Sequence, residues 1–174
     1  GINESVYTLY ATEHLLWIGP EKGLYTLNYQ TEKIDLFLIK TIQNQSIHSS
    51  IQHIIEDKQD NLWISTYGQG LFRYNPKEHQ LIQYEFPEIN NMIASICIDS
   101  ENQIWAVTNW GPNSLFKLNK VKDTFEPVIF TYDKPQYNSF ALAMFEDSYQ
   151  NLWIGSWESG LQKIDKYTGE IIKD

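Results

Sequence analysis

The stretch EDKQDNLWISTYGQGLFRYN, Glu56–Asn75, decides the fold. It contains two short runs, NLWISTY (residues 61–67) and GLFRYN (residues 70–75), rich in Ile, Tyr, Phe, Thr and Trp. A similar run precedes them, IQHIIED at residues 51–57, and another follows, LIQYEF at residues 81–86. Each is bounded by Asp, Asn, Gly or Pro, which is the pattern of strands separated by turns. No window of about a dozen residues sustains a helical period. Four strands joined by short turns describe one antiparallel sheet. Its apolar runs, such as LWIS, do not alternate strictly, so both sheet faces are expected to pack on neighbours.

The same stretch recurs along the chain. HLLWIGPEKGLYTLN begins at His14, NQIWAVTNWGPNSLFKLN at Asn102 and QNLWIGSWESGLQKID at Gln150. The shared tryptophans Trp17, Trp63, Trp105 and Trp153 are spaced 46, 42 and 48 residues apart. Periods in the forties point to propellers or helical arrays, and the strand-like runs select the propeller. The reading is all-β, a β-propeller segment of four four-stranded antiparallel blades, with repeats at about 5–38, 47–86, 92–130 and 138–174. Asp57, Asp99 and Asp147 close the first strand of their repeats, where accepting backbone N–H bonds accounts for them. Asn61, Gln103 and Asn151 follow, at a place where Asn tolerates a left-handed turn. Gly23, Gly70 and Gly160 open the third strand, where glycine supplies positive φ or close approach. The third repeat has Ser114 instead, and the first has a shortened first turn with no matching aspartate.

Composition narrows the function. The chain has 174 residues, 42% hydrophobic and 20% charged, which suits one globular domain and excludes a disordered one. Its net charge is −9, and Arg73 is its one guanidinium, so a nucleic-acid partner is disfavoured. The single cysteine, Cys97, sits in the apolar run ASICIDS and reads as a small buried hydrophobe. One cysteine allows neither an internal disulfide nor a multi-cysteine zinc site. No run approaches the roughly 20 apolar residues that span a bilayer, so this segment is not expected to contact a membrane. The opening residues hold no charged leader or apolar signal core, so such parts of an exported protein would lie outside this sequence.

Motifs for chemistry are absent. There is no nucleophile elbow, zinc-protease helix, phosphate loop or kinase signature. His14, His48, His53 and His79 fall in different turns and strands without ligand spacing. No catalytic residue, metal or cofactor is expected. The Asp57, Asp99 and Asp147 carboxylates carry no sign of a glycosidase pair.

The repeat as a whole, an acidic turn, then Asn-Leu-Trp-Ile, a short loop, Gly-Leu and Tyr-Asn or Ile-Asp, resembles the two-component regulator propeller repeat. Glu56–Asn75 and Glu146–Asp165 carry the likeness best, the third repeat is a diverged copy, and the first keeps only its second half. The resemblance implies the periplasmic sensor region of a hybrid two-component histidine kinase of Bacteroidetes type. It further implies tandem propellers, a further β-domain, a membrane helix and a kinase elsewhere in the parent, and oligosaccharide ligands.

Four repeats are about half of a ring of roughly seven or eight blades. The open blade faces are therefore expected to be completed by a larger ring or by self-association. Because the repeat tryptophans serve the architecture, recognition is expected at residues that do not repeat. Four or five positions past each tryptophan lie Glu21, Tyr67, Trp110 and Trp157, three of them aromatic. Flat rings at Tyr67, Trp110 and Trp157, with hydrogen-bonding Asn109, Asn113 and Glu158, suit a neutral oligosaccharide. The plainer reading has Trp110 and Trp157 wedged between blades. His48, Tyr137 and Asn138 are further candidates on the connections between repeats. The function expected is ligand sensing without chemistry. The alternatives are a protein-interaction scaffold and, behind it, a propeller lyase, and fold alone does not choose among them.

Overall fold

A computed structural model describes residues 1–108, 115–128, 141–157, 160–168 and 171–172. Sixteen strands among these residues form four separate four-stranded antiparallel sheets, each in plain up-and-down order. Blade 1 comprises β1 (Val6–Ala11), β2 (Leu15–Pro20), β3 (Tyr25–Asn28) and β4 (Ile34–Leu36). Blade 2 comprises β5 (Ser50–Glu56), β6 (Leu62–Tyr67), β7 (Leu71–Asn75) and β8 (Gln80–Tyr84). Blade 3 comprises β9 (Ser95–Ile98), β10 (Ile104–Val107), β11 (Leu115–Asn119) and β12 (Thr124–Pro127). Blade 4 comprises β13 (Ala141–Glu146), β14 (Leu152–Ser156), β15 (Gly160–Ile164) and β16 (Ile171–Ile172). The all-β propeller architecture read from the repeats is the one observed. The chain divides into two compact units, Gly1–Asn91 with blades 1 and 2 and Met92–Asp174 with blades 3 and 4.

Three turns repeat from blade to blade, and each follows from its residues. The first turn of blade 2 closes with Asp57 N–H on the Asn61 carbonyl at 2.9 Å, and the third turn residue, Asp60, takes φ 64°. Asn102 and Gln150 do the same in blades 3 and 4. The left-handed residue thus falls one position before Asn61, Gln103 and Asn151, whose N–H groups are needed by the preceding aspartate. At the second turn Gly23, Gly70 and Gly160 have φ between 66° and 76°, as their position led one to expect. Between the third and fourth strands a side-chain oxygen accepts two successive backbone N–H bonds. Asn28 takes those of Gln30 and Thr31, Asn75 those of Lys77 and Glu78, Asn119 those of Val121 and Lys122, and Asp165 those of Tyr167 and Thr168. This is the turn that Asx side chains favour.

Burial explains why the apolar runs do not alternate. In the first unit Trp17 and Leu24 pack with Ile51, Ile54, Leu62, Ile64, Phe72, Tyr74 and Leu81, so one face of blade 1 is closed by blade 2. In the second unit Trp105, Val107 and Leu115 pack with Ala141, Met144, Leu152, Ile154 and Ile164. Polar ties run alongside. Tyr10 donates to Glu56 at 3.2 Å between blades 1 and 2. Between blades 3 and 4, Glu146 accepts from Ser100 N–H at 2.6 Å and the buried Lys166 ammonium lies 3.5 Å from Glu101, while within blade 4 Lys166 donates to Glu146 at 3.0 Å. Burial opposes the Lys166 charge, yet the Glu146 hydrogen bond and the surrounding carboxylates hold the ammonium above its ordinary range.

Candidate functional site

Each repeat tryptophan is placed by cross-strand pairing, and three of the four share a polar cage. The Trp63 indole N–H donates to Asp57 Oδ2 at 2.8 Å, Trp105 to Asp99 at 3.0 Å and Trp153 to Asp147 at 2.8 Å. The other carboxylate oxygen of Asp57 accepts the N–H bonds of Gln59 and Asn61, and those of Asp99 and Asp147 do likewise. The Trp153 indole bond, reinforced by Asn151 and Tyr149, pulls the Asp147 carboxyl down to about 2. The third strand sets a cation across from the ring. Arg73 pairs with Trp63, Lys117 with Trp105 and Lys163 with Trp153, their charged ends 5.5, 4.8 and 5.9 Å from the ring centroids. Trp63 and Trp105 are thus buried, and Trp153 half-buried, each between a carboxylate and a cation. The carboxylate–indole pair was signalled by the constant six-residue step from Asp57 to Trp63, Asp99 to Trp105 and Asp147 to Trp153.

The candidate rim residue Tyr67 ends β6 opposite Ser50 and is 45% exposed. The loop that carries it is fastened from two sides. Buried Gln69 accepts the N–H bonds of His48 and Ser49, both at 2.8 Å, and its amide donates to the Ser46 carbonyl at 3.0 Å. On the other side the Gly68 and Gly70 N–H groups both donate to the Asn91 carbonyl, at 3.0 and 2.8 Å. Asn91 is itself fixed, its side chain accepting from Phe86 N–H. Thr66 closes the loop by donating its hydroxyl to the Gly70 carbonyl at 2.8 Å. A Cβ on Gly68 would stand 3.6 Å from Ser49 Oγ, so Ser49 borders the same surface. The exposed His48 ring lies with Nδ1 3.0 Å from the Ser46 carbonyl, which accepts when Nδ1 carries a proton. An aromatic ring, a hydroxyl and an imidazole thus sit on one preorganised segment. The partners of Gln69 lie 20 to 23 residues away in the sequence.

Trp157 directly follows β14 at the matching place in blade 4 and is 78% exposed. Its loop keeps one of the blade 2 fasteners, the Ser156 hydroxyl on the Gly160 carbonyl at 3.1 Å. Glu21, the blade 1 counterpart, is exposed and donates its N–H to the Ser5 carbonyl. Asn109, Trp110, Asn113, Glu158, Tyr137 and Asn138 lie outside the described residues.

Other features offer little chemistry. Burial pushes the Cys97 thiol up to about 11, in keeping with its place in the blade 3 and 4 core. Among the described residues no group of three His, Cys, Asp or Glu side chains could hold a metal ion. A cavity of about 240 Å³ lies on β11 and β12, beside Lys117, Asn119 and Glu126. Its polar groups are occupied, Glu126 by Asn119 at 3.1 Å and Lys122 at 2.7 Å, and Lys117 by the Trp105 ring. The described residues of the arrangement can bind by stacking and hydrogen bonding.

Blades caged in this way define a β-propeller protein, and solved structures agree. The chain superimposes on the extracellular domain of a putative hybrid two-component system of B. thetaiotaomicron with a TM-score of 0.77, at 22% identity, over 97% of this chain and 22% of that one. A streptogramin B lyase gives a TM-score of 0.75 at 18% identity, over 99% of this chain and 55% of that one. At such identities the likeness is one of fold. Residues 45–68 and 135–158 match the family described as two component regulator propeller. A curated histidine kinase of Formosa agariphila is 28% identical, and the match covers 98% of this chain. The chain spans only 16% of the length of that relative.

Proposed function

We propose that this chain is a ligand-sensing propeller segment of the periplasmic region of a hybrid two-component sensor kinase, and that its ligand is a neutral oligosaccharide. The reading is supported by the repeats of blades 2 and 4 and by the likeness to a histidine kinase. The observation that carries the binding role is the Tyr67 loop, anchored by Gln69 and Asn91 before any ligand arrives. A loop whose backbone is already held in place loses little freedom on binding, so more of the contact energy is retained as affinity. Tyr67 and Trp157 act as stacking platforms, and Asn109, Trp110, Asn113 and Glu158 complete the proposed set. The segment does no chemistry. Binding biases the arrangement of the sensor, and regions outside this chain carry the signal onward. The lyase alternative would require a cation presented to substrate, whereas the Arg73 guanidinium lies 5.5 Å from the Trp63 ring centroid and 5.6 Å from that of Tyr84.

Calorimetric titration of the 174-residue chain with a panel of neutral oligosaccharides tests the reading. One member should bind, and Tyr67→Ala and Trp157→Ala should each weaken it about tenfold, or ~1.4 kcal/mol. Binding unaffected by both substitutions overturns the assignment of the rim, and a parent chain without a kinase region overturns the sensor role.

A further inference from the structure

Tyr67 has hydrogen-bonding neighbours that come from the connection between blades 1 and 2 and not from its own loop. Ser50 opens β5 and lies opposite Tyr67, the last residue of β6. Past the ends of these strands the two segments stay side by side. Ser49 borders Gly68, and the Gln69 side-chain oxygen accepts the N–H bonds of both Ser49 and His48. His48, Ser49 and Ser50 therefore run antiparallel to Tyr67, Gly68 and Gln69. At the rise of a strand each run of three spans about 7 Å.

The side chains along this run differ in what engages them. The Ser50 hydroxyl accepts from the Gln52 amide at 2.8 Å. The Ser49 hydroxyl faces the space that the missing side chain of exposed Gly68 leaves open, 3.6 Å from where a Cβ would stand. The exposed His48 ring has Nδ1 beside the Ser46 carbonyl, so Nε2, on the far side of the ring, can meet a ligand as donor or acceptor according to the protonation of the imidazole. A sugar ring offers a face of C–H bonds and a rim of hydroxyls that both donate and accept. The face suits a phenol ring, and the rim suits an imidazole nitrogen and a hydroxyl.

We infer that His48 and Ser49 join Tyr67 in one subsite for a neutral sugar ring, which rests on the reading of the Tyr67 loop as part of an oligosaccharide site. The sugar stacks on Tyr67, and its hydroxyls bond to His48 Nε2 and Ser49 Oγ. Gln69 holds the backbone of both polar residues in advance, so little further ordering is needed when the sugar arrives. Recognition on blade 2 is thereby shared between two connections, the loop after β6 supplying the platform and the segment before β5 supplying the hydrogen bonds.

Titration calorimetry with tetrasaccharides of glucose, galactose, mannose and xylose, repeated on variants, tests this. For a tetrasaccharide that binds, His48→Ala and Ser49→Ala should each lower affinity about fivefold, the loss of one hydrogen bond. His14→Ala, on an exposed turn of blade 1, should leave the affinity unchanged. A second readout uses the unaltered chain and so does not depend on the folding of any variant. In proton–nitrogen spectra of the imidazole rings, His48 should shift as the sugar is added, while His14, His53 and His79 stay in place. Unchanged affinity in either His48→Ala or Ser49→Ala, or an unmoved His48 signal, overturns the inference; the oligosaccharide reading survives that result if Tyr67→Ala still weakens binding. A panel in which no tetrasaccharide binds overturns the oligosaccharide reading itself, and the subsite with it.

Discussion

Blades 1 and 2 bury the same tryptophan by different means. Trp63 has a carboxylate on its indole and a guanidinium over its ring, and it stacks on Tyr84 at 5.6 Å. Trp17 has neither charge. Thr12 stands where Asp57 stands, at the start of a first turn one residue shorter, and Thr26 pairs with Trp17 where Arg73 pairs with Trp63. The Thr12 hydroxyl reproduces only half of the aspartate's work, exchanging bonds with the Leu15 backbone at 3.0 and 3.3 Å. The Trp17 indole N–H is buried without an acceptor. What holds Trp17 is packing, with Phe37 edge-on at 5.4 Å and Tyr74 of the next blade at 5.9 Å. Apolar burial is thus sufficient to seat the tryptophan, and the carboxylate adds rigidity and strength to the turn.

The largest break in this comparison is expected from Asp57→Ala. It strips an acceptor from a buried indole, from two backbone N–H groups and from the Asn61 amide, and should cost about 3–4 kcal/mol in urea denaturation. Thr12→Ala in blade 1 should cost about 1 kcal/mol. Equal losses would mean that the carboxylate does no more than the hydroxyl.

Glycine substitutions extend the test to blade 4. A Cβ on Gly70 would lie 2.2 Å from the Tyr84 carbonyl oxygen, whereas one on Gly160 meets nothing within 4 Å. Both residues have positive φ, so Gly160→Ala should cost only the left-handed strain of about 1–2 kcal/mol. Gly70→Ala should lower the urea midpoint clearly further, because backbone must move.

A smaller effect of opposite sign is expected from Thr12→Asp. A carboxylate here would supply the kind of acceptor that Trp63 has and the buried Trp17 indole lacks, and the gain should be about 1 kcal/mol if it is engaged. No gain would show that the shorter turn keeps the carboxylate away from the ring.

The last difference is confined to acid. The Asp147 carboxyl titrates near 2 in the folded chain and near ~3.9 when unfolded. Its contribution is complete above the unfolded value and disappears as pH falls through about 2. Unfolding free energy followed between those values should fall less steeply in Asp147→Asn than in the unaltered chain. Blade 1 has no carboxylate at this position, so replacing Thr12 by Val should leave the slope alone.

These contrasts also show what the sequence could reveal. Period, strand runs and positive-φ glycines were legible because each is a local property of a few residues that recurs. The Asp57 carboxylate was read as a backbone acceptor, which it is, but its indole partner was missed, because Trp63 was weighed as an apolar residue. The left-handed position was placed on Asn61 rather than Asp60 because residue preference was followed and the aspartate's need for the Asn61 N–H was not counted. Gln69 was invisible as an anchor, since its partners Ser46, His48 and Ser49 meet it only when blade 2 closes. Tyr67 and Trp157 are legible as departures from the repeat, and they stand at the end of β6 and just past the end of β14, where both are exposed.

The unequal surroundings of the tryptophans also make the molecule its own optical reporter. Trp17 sits among hydrocarbon and rings with its N–H idle, so it should emit at the blue end. Trp63, Trp105 and Trp153, each between a carboxylate and a cation, feel a field along the indole that shifts and quenches them. Trp157, open to water, should emit at the red end and be the first of these five extinguished by acrylamide. A sugar covering Trp157 would shield that red component, so occupancy of the rim could be followed by light without a label.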